Sequence, residues 1–190
     1  MNKYLYTIGN GNTGYEDSNL NEFIDLLKYF KIEALVDVRS VPLSNFASWF
    51  NKEYLKKELE KQGIEYRHAG NYLGGRPENK EFYDNDGYVL YDKLSNSELY
   101  KKGLERLIEI ATVKQTVVMC SEKDFNKCHR SNLIARTLGS SWEINHIISK
   151  TNTEKHNFET SIQLTLSREG AWKSTRPVLL NGSPTIVLMI

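Results

Sequence analysis

Hydrophobic and polar positions along the first 150 residues follow two alternating periods. Short runs rich in β-branched and aromatic residues predict strands over Lys3 to Ile8, Ile32 to Val38, Gln115 to Cys120 and Glu143 to Ile148, with a shorter one over Ile64 to His68. Between them, apolar residues recur every three or four positions. Leu20, Phe23, Ile24 and Leu27 predict a helix capped by Ser18, and Leu55 and Leu59 predict one from Asn51 to Gln62 stopped by Gly63. Leu104, Leu107, Ile108 and Ala111 predict a helix over Ser97 to Ala111, and Cys128 to Leu138 predicts another, closed by Gly139. The stretch from Ile32 to Val38 is almost continuously apolar apart from Glu33 and Asp37, as a strand covered on both faces requires.

This rhythm predicts an α/β fold. Residues 1–150 form one domain with a mostly parallel sheet and helices on both faces, a Rossmann-like layered sandwich. Residues 151–190 predict a C-terminal β appendage packed on the same domain: Ser161 to Ser167 alternates like a half-exposed strand, Gly182-Ser183-Pro184 makes a turn, and Thr185 to Ile190 pairs at an edge. Gly70 to Asn96 keeps neither period and predicts a long surface loop with one helical turn.

Composition narrows the classes. The 190 residues carry 25 Lys+Arg and 24 Asp+Glu, a formal charge of +1, and 39% are hydrophobic, enough for a core without cross-links. Two cysteines do not make a disulfide scaffold. No run approaches the roughly 18 apolar residues of a membrane span, so no membrane partner is expected. The N-terminus lacks the pattern of a secretory signal, and a cytoplasmic location is expected. Residues 1–90 hold 11 basic and 14 acidic side chains and residues 91–190 hold 14 and 10, or −3 against +4. That asymmetry is too mild to select a nucleic-acid partner.

In open α/β sheets, ligands sit outside the carboxyl ends of the strands. Three predicted strands end in unusual polar residues: Ile8-Gly9-Asn10, Val36-Asp37-Val38-Arg39 and Met119-Cys120-Ser121-Glu122. The helix after the last opens with Cys128-His129-Arg130-Ser131, and a parallel sheet would bring all four segments to one rim.

Taken in order, Thr7-Ile8-Gly9-Asn10-Gly11, Leu35-Val36-Asp37-Val38-Arg39, Pro42-Leu43-Ser44, Leu73-Gly74-Gly75, Cys120-Ser121-Glu122 and Cys128-His129-Arg130 closely resemble the motifs of the domain of unknown function 488 family. The resemblance runs over roughly residues 3–148. Asn10 and Gly11 stand where the family pattern has His-Ser, and Ser121 stands where it has Ala, which weakens any mechanism needing an imidazole on the first strand. The resemblance implies an α/β fold and no established activity.

The candidate catalytic residues are Cys120, Glu122, His129 and Arg130. A thiol at a strand end beside His and Arg has a lowered pKa, and Cys120 is expected to be more reactive than Cys128. The structural alternative is that both thiols are packed as small apolar groups. A weaker similarity to rhodanese and Cys-phosphatase loops fails on spacing, because Arg130 lies ten positions after Cys120 and two after Cys128. A metal site is the other use of Cys120, Cys128 and His129, with His68 or Glu122 as a further ligand; seven residues separate the two thiols, a departure from zinc-knuckle spacing, and no second Cys pair completes four ligands, so no metal and no other cofactor is assigned.

Candidate ligand-binding residues are Asn10, Asp37, Arg39, Ser44, Gly74, Gly75 and Cys128. Asp37 and Arg39 share one side of a strand, where a buried Asp needs a partner; structural pairs Asp37 with Arg130 or Arg39 with Glu122 are one reading, and an arginine fork gripping an anion is the other. Tyr66, Tyr72, Tyr83, Tyr88 and Tyr91 surround Gly74-Gly75 as either an aromatic lid or loop packing. Two functions compete. One is an acid/base or Cys-dependent enzyme with a small anionic or nucleotide-like ligand at the rim; the other is a non-catalytic module for nucleic acid or a nucleotide. Oligomeric state is not legible in the sequence.

Overall fold

A computed structural model of the chain describes residues 3–13, 19–165, 170–180 and 183–184. The elements are β1 (Tyr4–Gly9), α1 (Asn19–Tyr29), β2 (Ala34–Asp37), α2 (Lys52–Lys61), β3 (Glu65–His68), α3 (Gly70–Leu73), α4 (Tyr91–Ser95), α5 (Glu98–Val113), β4 (Thr116–Cys120), α6 (Arg136–Leu138), β5 (Glu143–Ser149), β6 (Asn152–Lys155), α7 (Phe158–Thr165), β7 (Leu179–Leu180) and β8 (Ser183–Pro184). A buried π-helical stretch, Arg130–Ala135, leads into α6, and Gly139, at φ 73°, closes it in a conformation that favours glycine.

Six strands form one sheet in the order β3-β2-β4-β1-β5-β6. The first five run parallel, and β6 joins β5 antiparallel at the edge. The α/β class and the mostly parallel sheet predicted by the alternating periods are therefore present. Phe23, Leu27, Leu55 and Leu59 pack α1 and α2 on one sheet face with Leu35, Val117 and Met119. Tyr100, Leu107 and Ala111 of α5, with Leu133, Ile134 and Leu138, cover the other face against Val36, Val118 and Cys120.

That distribution creates a crevice. The chain leaves β1 and β2 toward the α1/α2 face, but leaves β4, which lies between them, toward the opposite face. Loops that diverge from adjacent strand ends leave open space between them, and the space lies at the end of β4. Register places the ends together: Gly9 pairs with Cys120, and Asp37 pairs with Met119 and His68.

Two local expectations change, and one strand was not expected. The alternation of Ser161 to Ser167 predicts a strand, but Phe158–Thr165 is helical, because the Asn157 side chain accepts a hydrogen bond from the Thr160 N–H (3.0 Å) and opens a helical turn. Gly70 to Asn96 holds α3, α4 and a 3₁₀ turn over Lys80–Phe82, and it buries Leu73, Val89, Tyr91 and Leu94. β6, exposed throughout, carries no apolar signal from which it could be predicted. The Ser18 cap and the pairing of Thr185 to Ile190 lie outside the described residues.

Beneath the sheet edge, His146 and His156 share one hydrogen bond, Nε2 to Nδ1 at 3.0 Å, while His146 Nδ1 meets Thr7 Oγ1 at 2.7 Å and Phe125 stacks on its ring at 3.9 Å. Burial pushes His146 down to about 2, helped by His156 and Arg130, and burial pushes His156 down to about 4, both from 6.5. Folded-state values below the unfolded value mean that stability is complete above about pH 6.5 and is lost as the pH falls. Lowering the pH from 7.5 to 5 is expected to remove up to about 4 kcal/mol, roughly 2 for each ring. Urea denaturation at the two pH values measures this, and an unchanged midpoint would show that the fold holds neither ring neutral.

Candidate functional site

The crevice at the end of β4 is a cleft of about 410 Å³. Cys120, Cys128 and His129 lie on its lining, with Val41, Leu43, Phe46 and Val178 as apolar groups and Arg39, Arg76, Lys127 and Arg176 as cations. Leu43 and Phe46 are 69% and 64% exposed and, with Val41, give one wall of the cleft an apolar surface open to solvent.

Asp37, at the end of β2, is 0% exposed. Its carboxylate accepts hydrogen bonds from Arg39 Nε (2.9 Å) and Nη2 (2.6 Å), from the Arg39 backbone N–H (3.0 Å) and from the Tyr66 hydroxyl (2.6 Å). Arg39 Nη2 also donates to the Phe50 carbonyl at 2.8 Å. Burial opposes the Arg39 charge, but the hydrogen bond and attraction of Asp37 outweigh it and raise the pKa. Burial, then Asp37, pushes Tyr66 up, so its hydroxyl stays a donor. Arg39 Nη1 makes no hydrogen bond among the described residues, which leaves one nitrogen of a fixed fork for a ligand.

Arg130 does different work. It is 1% exposed and does not line the cleft; Nη1 donates to the Glu122 carbonyl (2.7 Å) and Nη2 to the Lys123 carbonyl (3.2 Å). This fastens the loop after β4 over the end of β1. A Cβ on Gly9 would lie 2.1 Å from the Glu122 carbonyl oxygen, so the close approach requires glycine there. Arg130 is therefore a positioning residue. The Glu122 carboxylate pairs with Arg176, and the Ser44 hydroxyl accepts from the Phe46 and Ala47 N–H groups at 3.2 and 3.1 Å, shaping the apolar wall.

At the floor, His129 Nδ1 lies 3.7 Å from the Cys120 sulfur and 3.8 Å from the Cys128 sulfur. Its Nε2 lies 3.2 Å from the Val38 carbonyl oxygen, which can only accept, so Nε2 is the donor there and Nδ1 is the ring nitrogen turned toward both sulfurs. A Cβ on Gly75 would lie 2.7 Å from the imidazole Cγ, so the Leu73-Gly74-Gly75 turn approaches this ring as no other residue could. The two thiols sit in unlike surroundings. Hydrogen bonding to Cys128, then burial, pushes Cys120 up; burial would raise Cys128 too, but Cys120, the Arg130 charge and the Arg130 backbone outweigh it and lower the pKa.

Of the residues predicted from sequence, Asn10, Arg39, Ser44, Gly75, Cys120, Glu122, Cys128 and His129 line the cleft. Asp37, Gly74 and Arg130 lie behind them. Neither pairing expected for the carboxylates is formed, since Asp37 takes Arg39 and Glu122 takes Arg176. Tyr66 is buried and the Tyr83 hydroxyl donates to the Pro77 carbonyl (2.8 Å), so these two are packing rather than a lid, while Tyr91, also buried, contributes to the lining of the cleft.

Sequence reasoning missed Arg76, Lys127, Arg176 and Phe46. Arg176 reaches the cleft because Trp172 anchors the tail. The Trp172 indole donates to the Asn132 carbonyl (3.1 Å), Arg136 lies 4.2 Å over its ring, and the Ser174 N–H donates to the Val89 carbonyl (2.9 Å). An aromatic residue near Arg176-Pro177 was the available signal.

The family model for a domain of unknown function, DUF488, matches residues 19–137, more than half of the sequence. The chain belongs to the DUF488 family. The matched span takes in β2, the Gly74-Gly75 turn and the loop from Cys120 to Arg130, so most of the cleft lies on DUF488 sequence, while Asn10 and the Arg176 segment lie outside it. No curated protein and no solved structure matches the chain.

The buried pair gives a direct test. Replacing Arg39 with Ala leaves Asp37 charged and without its principal partner, and is expected to lower stability by about 3–5 kcal/mol in urea denaturation. Lys127→Ala, at an exposed pair with Asp124, is expected to change it by less than about 0.5 kcal/mol. Equal effects would remove the pair from its structural role.

Proposed function

We propose that the cleft binds a small anionic ligand of nucleotide size and that the thiol and imidazole groups at its floor act on it. The observation that carries this reading is charge in a confined place. The chain has a formal charge of only +1, yet among the described residues the lining holds four cationic side chains, Arg39, Arg76, Lys127 and Arg176, against one carboxylate, Glu122. A volume near 410 Å³ falls in the range of small-molecule sites, roughly 300–1,000 Å³.

The chemistry of the two sides supports a ligand with two ends. Guanidinium groups suit a phosphate or carboxylate, and an exposed Phe46 beside Leu43 suits a planar or apolar portion such as a base. Reactive groups at the floor suit acid/base or Cys-dependent chemistry rather than passive binding.

Calorimetric titration with AMP and with inorganic phosphate tests the reading. AMP is expected to bind more tightly than phosphate, and Arg176→Ala and Phe46→Ala are each expected to weaken AMP by about tenfold or more with an unchanged melting temperature. Absence of AMP binding, together with binding of a single-stranded oligonucleotide that falls steeply with salt, would replace this reading with the nucleic-acid module.

A further inference from the structure

We propose that Cys120, Cys128 and His129 form a Cys₂His zinc site whose fourth position opens into the cleft. This does not depend on the anion-binding reading; with the ion bound, the thiol and imidazole groups would act on a ligand through the metal rather than directly.

The three donor atoms lie within 4.8 Å of one another. Two thiolates and an imidazole are the soft and intermediate ligands that zinc takes, and Cys₂His with a free fourth position is a known arrangement of catalytic zinc. Distances agree with the donor set. With Zn–S near 2.3 Å and Zn–N near 2.0–2.1 Å, a tetrahedral centre would separate nitrogen and sulfur by about 3.6 Å. The separations from Nδ1 are 3.7 and 3.8 Å, within a few tenths of an ångström of that value, and the two sulfurs lie within 4.8 Å of each other.

The ring is also set for ligation. A metal-binding imidazole commonly donates its other N–H to a carbonyl or carboxylate, which fixes both tautomer and orientation. Here Nε2 donates to the Val38 carbonyl and Nδ1 faces both sulfurs. Gly75 presses on the ring from the other side. Cys120 is held by β4 and Cys128 by the turn that precedes the buried π-helical stretch, so the chelate joins two rigid elements.

The open position follows from the lining. All three donors border the cleft, and the nearby Glu122 carboxylate is engaged by Arg176. Two thiolates and Zn²⁺ sum to zero charge, so the occupied centre would not repel an anion drawn in by the surrounding arginines. A water or an anionic oxygen would complete the tetrahedron.

The full-length reduced protein, freed of metal by a chelator and dialysed, tests this with Zn²⁺ and Co²⁺ alone as probes. One equivalent of Zn²⁺ per chain is expected, and Co²⁺ is expected to give thiolate charge-transfer and tetrahedral ligand-field bands that Zn²⁺ displaces. Cys128→Ser and His129→Gln are each expected to weaken zinc by about 100-fold or more, with circular dichroism of the metal-free protein unchanged. Sub-stoichiometric uptake by the wild-type protein, or a Co²⁺ spectrum lacking thiolate bands, would overturn the site. Recovery of Cys120 and Cys128 as a disulfide, with no zinc uptake after reduction, would overturn it in favour of a redox pair. AMP titration of the same samples is a separate readout, so failure of either reading is seen independently of the other.

Discussion

The position of β4 between β1 and β2, all three parallel, is the constraint on which the rest of this molecule depends. Because β1 and β2 send their chains to the α1/α2 face and β4 sends its chain to the α5 face, the sheet cannot close over the end of β4. A crevice is left where Cys120 ends the strand, and the parallel register brings Gly9 and Asp37 to the same rim. The side chains that face each other there come from segments far apart in sequence, yet no bend or long excursion is needed to assemble them.

Two buried arginines hold the rim in shape. Arg130 fastens the loop after β4 by its carbonyls, and Arg39 locks onto Asp37, the Phe50 carbonyl and, through Asp37, Tyr66. Buried charges add little stability over apolar packing, but losing one partner is severe, so each fixes the geometry of the loop it touches. The tail contributes from a third direction: Trp172 sits between Tyr91 and Arg136, and the residues after it carry Arg176 to Glu122. The cleft thus has two walls set by the sheet and one set by the chain's last described segment.

The rim was legible in the sequence because strand ends are where periodicity stops, and Asn10, Arg39, Cys120 and Glu122 stand at those stops. The partners were not. Whether Arg39 takes Asp37 or Glu122 depends on the turn after β2, and nothing in Val38-Arg39-Ser40 specifies that turn. α7 was hidden because Ser161, Gln163 and Thr165 alternate with apolar residues, while the side-chain cap at Asn157 decides for a helix. The meeting of the two thiols at one imidazole was hidden as well, because seven residues separate Cys120 from Cys128. Arg176 was invisible to period arguments, since its place is fixed by the Trp172 anchor rather than by a regular element.

The central claim is that five separate segments form one ligand site. Hydrogen–deuterium exchange with and without saturating AMP tests it most directly. Slowed exchange confined to peptides covering residues 10–11, 39–47, 75–76, 120–129 and 174–178 is the result this account predicts. Slowed exchange elsewhere in the chain with these five segments unchanged would contradict it.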